Sequence, residues 1–160
     1  MAEPLCEYFG QCGGCLFQNV DYAAQVENKR RQLANAVNSD DVRVFTGSEY
    51  FYRTRVDMVF HPGGIGFRRK GTWHKIVDIG KCVIANERIN ELIAEVRDYF
   101  REVDYFHVRK NSGTYRYAVI RAPAGDSSVS IVLNADSSRL LPARENITRF
   151  AEQTSADHVL

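Results

Sequence analysis

At 160 residues, 44% of them apolar, the chain has the length of one ordinary domain or two very small ones and enough hydrophobic material to bury a core. Its 21 lysines and arginines nearly balance 20 acidic residues, so only the local distribution of charge can speak for or against nucleic acid. No apolar run approaches the roughly 20 residues of a membrane span, and Met1 to Leu5 lacks a secretory layout, so a cytoplasmic protein is expected.

In chain order, Cys6 to Cys15 is a glycine-rich stretch without helical or alternating periodicity, a loop held by something other than its own packing. Asp21 is a natural N-cap for a helix running to about Val37, with Val26, Leu33 and Val37 near helical spacing. Alternation then takes over. Tyr52, Val56 and Met58 share one strand face, and Arg53, Arg55 and Asp57 share the other. A turn at His61 to Gly64, a returning strand over 65–69, a turn at Lys70-Gly71 and a third strand over 73–79 complete an antiparallel meander.

After Cys82, Asn86 caps an amphipathic helix carrying Ile89, Leu92, Ile93, Val96 and Phe100 on one face. Strands are predicted over 105–109, 115–121 and 128–133, separated by turns at Asn111-Ser112-Gly113 and Pro123 to Asp126. A helix is predicted from near Pro142 through Phe150, and His158-Val159-Leu160 opens an apolar element where the sequence stops, so a fragment of a longer protein is expected. The predicted fold class is α+β, antiparallel sheet with two or three helices. Residues 1–20 form a clipped loop and residues 21–160 a central domain.

The four cysteines form C-x5-C-x2-C at Cys6, Cys12 and Cys15, with Cys82 far along the chain. Thiols stay reduced in the cytoplasm, so an even number reads as a ligand set, and four thiolates suit either an iron-sulfur cluster or a structural zinc. Zinc sites commonly pair two C-x2-C units, and Cys82 has no near partner, which favours iron and sulfur. Gly13 and Gly14 let the backbone turn tightly and aim amide N–H groups at the sulfurs.

The residues 6–29, ending CGGCLFQNVDYAAQVENK, together with Tyr52-Arg53-Thr54-Arg55, Gly66-Phe67-Arg68, Ile76 to Ile79 and Cys82, resemble the iron-sulfur RNA (uracil-C5)-methyltransferases. The resemblance covers the first half of the chain in its motifs and the rest in element order. It implies a [4Fe-4S] cluster on Cys6, Cys12, Cys15 and Cys82, and an enzyme forming 5-methyluridine in rRNA or tRNA with S-adenosylmethionine as methyl donor. Nothing resembles that family's small N-terminal barrel or its S-adenosylmethionine-binding domain, and Gly63-Gly64-Ile65-Gly66 is explained by a hairpin turn.

In that family a cysteine thiolate of the C-terminal domain adds to uracil C6 and a carboxylate there removes the C5 proton. With all four thiols assigned to the cluster, these residues carry no catalytic group. The function expected from the sequence is therefore an iron-sulfur RNA-binding portion, with the methyltransferase domain supplied in cis or in trans. The rival readings are a stand-alone iron-sulfur or zinc RNA-binding module and a small electron-transfer protein.

RNA contacts are expected from Arg53, Arg55, Arg68, Arg69, Lys70 and Lys75, a basic stripe joined by Lys81 and opposed only by Asp57 and Asp78. Phe67, Trp73 and Tyr52 lie among these cations and could stack on bases, though at least two of them are expected in the core, as are Tyr115 and Tyr117 on a shared strand face. His61, His74, His107 and His158 show no ligand spacing and receive no role.

Overall fold

The computed structural model describes residues 1–160. Nine elements run in the order α1 (Tyr22–Val37), β1 (Arg55–His61), β2 (Gly64–Arg68), β3 (Ile76–Asp78), α2 (Glu87–Tyr99), β4 (Tyr115–Arg121), β5 (Ser128–Leu133), α3 (Leu140–Ala151) and β6 (His158–Val159). The fold is α+β, three helices with one six-stranded sheet ordered β3-β2-β1-β4-β5-β6. The two meanders foreseen in the sequence are thus one sheet, joined where β1 pairs antiparallel with β4 (Val56 opposite Ile120, Met58 opposite Ala118). The sheet is mixed, because β6 runs parallel to β5.

Alternation in β1 works as period two requires: Val56, Met58 and Phe60 are buried while Arg55 and Asp57 are exposed. The buried face of the sheet receives Ile89, Leu92, Ile93 and Val96 of α2, all fully buried. Asn86 caps that helix by accepting from the Ile89 N–H at 2.9 Å. Phe100 packs edge-on to Phe60 (centroids 5.8 Å apart) and against Phe150 of α3 (4.9 Å), which locks both helices onto the sheet. α3 begins two residues before Pro142, so the missing proline N–H falls among the first-turn donors that have no intrahelical acceptor.

Four sequence expectations are corrected. Residues 105–109 form no strand: they make isolated bridges to Tyr115 and Ser112 and fold into a tight loop closed by Asn111 and Gly113 at positive φ. The third meander strand spans only Ile76–Asp78. Tyr115 is buried, but an irregularity between Tyr115 and Tyr117 breaks the alternation and turns Tyr117 toward the open face. Trp73 and Tyr52 are exposed, and only Phe67 of that trio packs against the core.

Helix α1 runs as expected, with the Asp21 carboxylate accepting from the Ala23 N–H at 3.1 Å. Its apolar spacing does not reach the core: Ala34 alone is buried, and Leu33 and Val37 stay exposed. No helix is long and apolar enough to cross a membrane.

Candidate functional site

The N-terminal loop is tied to the open end of β2 by main-chain bonds. Gly13 N–H donates to Arg68 O at 2.9 Å and Lys70 N–H donates to Gln11 O at 2.8 Å. A Cβ on Gly13 would sit 3.1 Å from Arg68 O, so the small residue permits this close approach. On the far side, Cys82 precedes α2 and is gripped by Asn90: the Cys82 N–H donates to Asn90 Oδ1 at 2.8 Å, and Asn90 Nδ2 donates to Cys82 O at 3.1 Å.

These two anchors bring Cys6, Cys12, Cys15 and Cys82 to the wall of one cavity of about 40 Å³, closed by Phe9, Phe67, Ile79 and Ile84. All four thiols are half-buried and free. Burial pushes the Cys6 and Cys12 thiols above their ordinary values, against single N–H donors from Tyr8 and Gly14, and the neighbouring cysteines push the same way. Gly14 N–H lies 3.3 Å from Cys12 Sγ. Arg53 and Lys81 also line the cavity and bring positive charge to it. Gln18, 7% exposed, accepts from the Cys6 N–H at 3.2 Å through Oε1, which leaves its buried Nε2 without a protein partner.

The expected RNA contacts divide. Arg68, Arg69 and Lys70 line a groove on the open face of the sheet with Gly13, Asp57 and Tyr117. Arg55 is held by Asp57 through two bonds of 2.7 and 2.9 Å. Arg53 sits at the thiol cavity, and Lys75 is exposed. Asp78 does not oppose the stripe: its carboxylate is taken up by Arg97 and by His61 Nε2 at 3.1 Å. Sequence reasoning overlooked Asn90, whose only signal was a polar residue on the flank of an apolar helix. It gave no role to His74 and His107, which the fold places in one cavity with Trp73 and Phe106.

The chain is 34% identical over 120 residues, 74% of its length, to the tRNA (uracil(54)-C(5))-methyltransferase of Pyrococcus abyssi. It is 29% identical over 147 residues to an uncharacterized RNA methyltransferase of Clostridium acetobutylicum. Its homologues are RNA methyltransferases. The crystal structure of the P. abyssi tRNA (uracil-54, C5)-methyltransferase in complex with S-adenosyl-L-homocysteine superposes with a TM-score of 0.67 at 30% identity, over 77% of this chain and 31% of that one. The relatives therefore support the uracil-C5 RNA methyltransferase family. The chain spans 30% of the length of the P. abyssi relative and 32% of the Clostridium one. No family model matches it.

These findings correct the function expected from the sequence. An iron-sulfur RNA-binding portion set apart from its methyltransferase, a stand-alone iron-sulfur or zinc module and an electron-transfer protein are all overturned. The relatives it aligns with are the methyltransferases themselves, one solved with S-adenosyl-L-homocysteine, and no three His, Cys, Asp or Glu side chains are gathered so as to hold a metal ion.

Proposed function

We propose that this chain is part of an S-adenosylmethionine-dependent methyltransferase of the cytoplasm that converts uridine to 5-methyluridine in tRNA. The observation that carries this reading is its similarity, over three quarters of its own length, to a tRNA (uracil(54)-C(5))-methyltransferase. The relatives' names specify tRNA or RNA in general, so tRNA is the substrate class proposed.

The four-thiol cavity is proposed to hold a [4Fe-4S] cluster on Cys6, Cys12, Cys15 and Cys82. Support comes from the donor set: four thiols, the soft ligands that such a cluster takes, line the wall of one cavity. The buried, unpaired Gln18 Nε2 and the cations of Arg53 and Lys81 suit an anionic sulfur-rich occupant. Methyl transfer to uracil is redox-neutral, so such a cluster would brace the loop against the sheet.

RNA contacts are proposed for part of the basic stripe. Arg68, Arg69 and Lys70 form an exposed cationic edge suited to phosphates, with Lys75 nearby on the chain, while the loop held at Gly13 fixes the wall of the groove they line.

The test is incubation of the whole methyltransferase of which this chain is proposed to be part with an unmodified tRNA transcript and S-adenosylmethionine, followed by nucleoside analysis. New 5-methyluridine is expected, and its absence in iron-loaded, RNA-binding material overturns the reading. Iron and acid-labile sulfide are assayed separately, and material free of both overturns the cluster assignment alone.

A further inference from the structure

On the open face of the molecule, away from the thiol cavity, lies a cavity of about 360 Å³ between the β1–β2 hairpin and the loop over residues 105–109. That volume falls in the range of about 300–1,000 Å³ that small-molecule sites occupy. Its walls include the aromatics Trp73 and Phe106, the guanidinium groups of Arg68 and Arg109, and the imidazoles of His74 and His107.

Trp73 is 58% exposed, an unusual position for the largest apolar side chain, and it packs edge-on to His74 with ring centroids 5.1 Å apart. Arg68 donates to the Trp73 carbonyl, and Arg116 stacks 4.4 Å from the Phe106 centroid, so both aromatic walls are braced by cations. His74 and His107 each keep Nδ1 buried without a partner. A turn of either ring toward a ligand relieves that cost. Arg68 and Val59 line this cavity and the cationic groove alike, so the two adjoin.

We infer that this cavity receives one unstacked nucleotide of a single-stranded RNA segment whose phosphates run along the adjoining groove. The inference rests on the RNA reading proposed above and extends it to a base-holding site. Splayed bases stack on aromatic side chains and are hydrogen-bonded at their edges, which requires the mixture of aromatic, cationic and imidazole groups assembled here. A groove for phosphates alone has no use for Trp73 and Phe106.

The 160 residues contain one tryptophan, so its fluorescence reports on this cavity directly. Titration with an unmodified tRNA transcript is expected to quench Trp73 emission. Binding measured independently by filter retention is expected to weaken on the order of tenfold in Trp73→Leu and in Phe106→Leu combined with His107→Ala. Trp73 is exposed, so the first variant keeps the fold if the second does not. RNA that binds with emission unmoved and with both variants at parental affinity overturns the cavity assignment and leaves the RNA reading standing. Equal quenching by heparin shows a response to charge alone and overturns the assignment as well, and failure of any RNA to bind overturns both readings.

Discussion

Cys82 and Asn90 hold each other in both directions, main-chain N–H to side-chain oxygen at 2.8 Å and side-chain amide to main-chain oxygen at 3.1 Å. The same amide reaches the Ala85 and Asn86 carbonyls, so one side chain on α2 fixes the turn that presents the distal thiol. Asn90→Leu strips these partners from a partly buried turn, and an unsatisfied main-chain group costs about 1–3 kcal/mol. Thermal unfolding should show that loss, together with iron retention below that of the parent.

If the proposed cluster is bound, replacement of Cys82 by Ser should abolish its iron and sulfide while far-UV circular dichroism stays native. The hydrophobic core lies mainly between the sheet and α2, and Cys82 packs only against its edge. Native metal content in Cys82→Ser would contradict the assignment of this thiol.

Leu92 is fully buried between α2 and the sheet. Leu92→Ala should cost about 2–5 kcal/mol through lost burial and the cavity left behind. Urea unfolding should show a lower midpoint with an unchanged slope.

Gly66 of β2 lies hard against β3: a Cβ there would stand 2.1 Å from Val77 O and 2.8 Å from Ile76 Cγ2. Both obstacles belong to the paired strand, one of them backbone, so Gly66→Ala must push β3 outward. Destabilisation of about 1–3 kcal/mol is expected, measured by the same unfolding experiment. Faster amide exchange at Phe67, whose pairing partner is Val77, should accompany it.

The Arg97 guanidinium beside Asp78 holds its carboxyl below the usual carboxylate range, with His61 assisting. A carboxylate of depressed pKa contributes stability that is complete above its unfolded value of about 3.9 and is lost as pH falls through the folded value. Asp78→Asn should therefore lower stability at neutral pH and flatten the decline below about pH 4. An acid limb identical to the parent's would refute the role given to this carboxylate.

Sequence alone determined the elements whose period is set by a single buried face. Helix α2 follows from the spacing of Ile89, Leu92, Ile93 and Val96 and from the cap at Asn86, and β1 follows from Val56, Met58 and Phe60, because side-chain direction is fixed by local backbone geometry. The cysteine spacing predicted four thiols as one set; the fold lines one cavity with all four, and no three of them are gathered so as to hold a metal ion.

Tertiary structure decided everything that depends on residues distant in the chain. The union of two meanders at β1 and β4, the parallel placement of β6, the grip of Asn90 on Cys82 and the gathering of Trp73, His74, Phe106 and His107 are long-range contacts with no local periodicity to announce them. Helix α1 shows the converse. Its local signals were sufficient to form it, yet burial of Leu33 and Val37 requires a partner surface that no local pattern can supply.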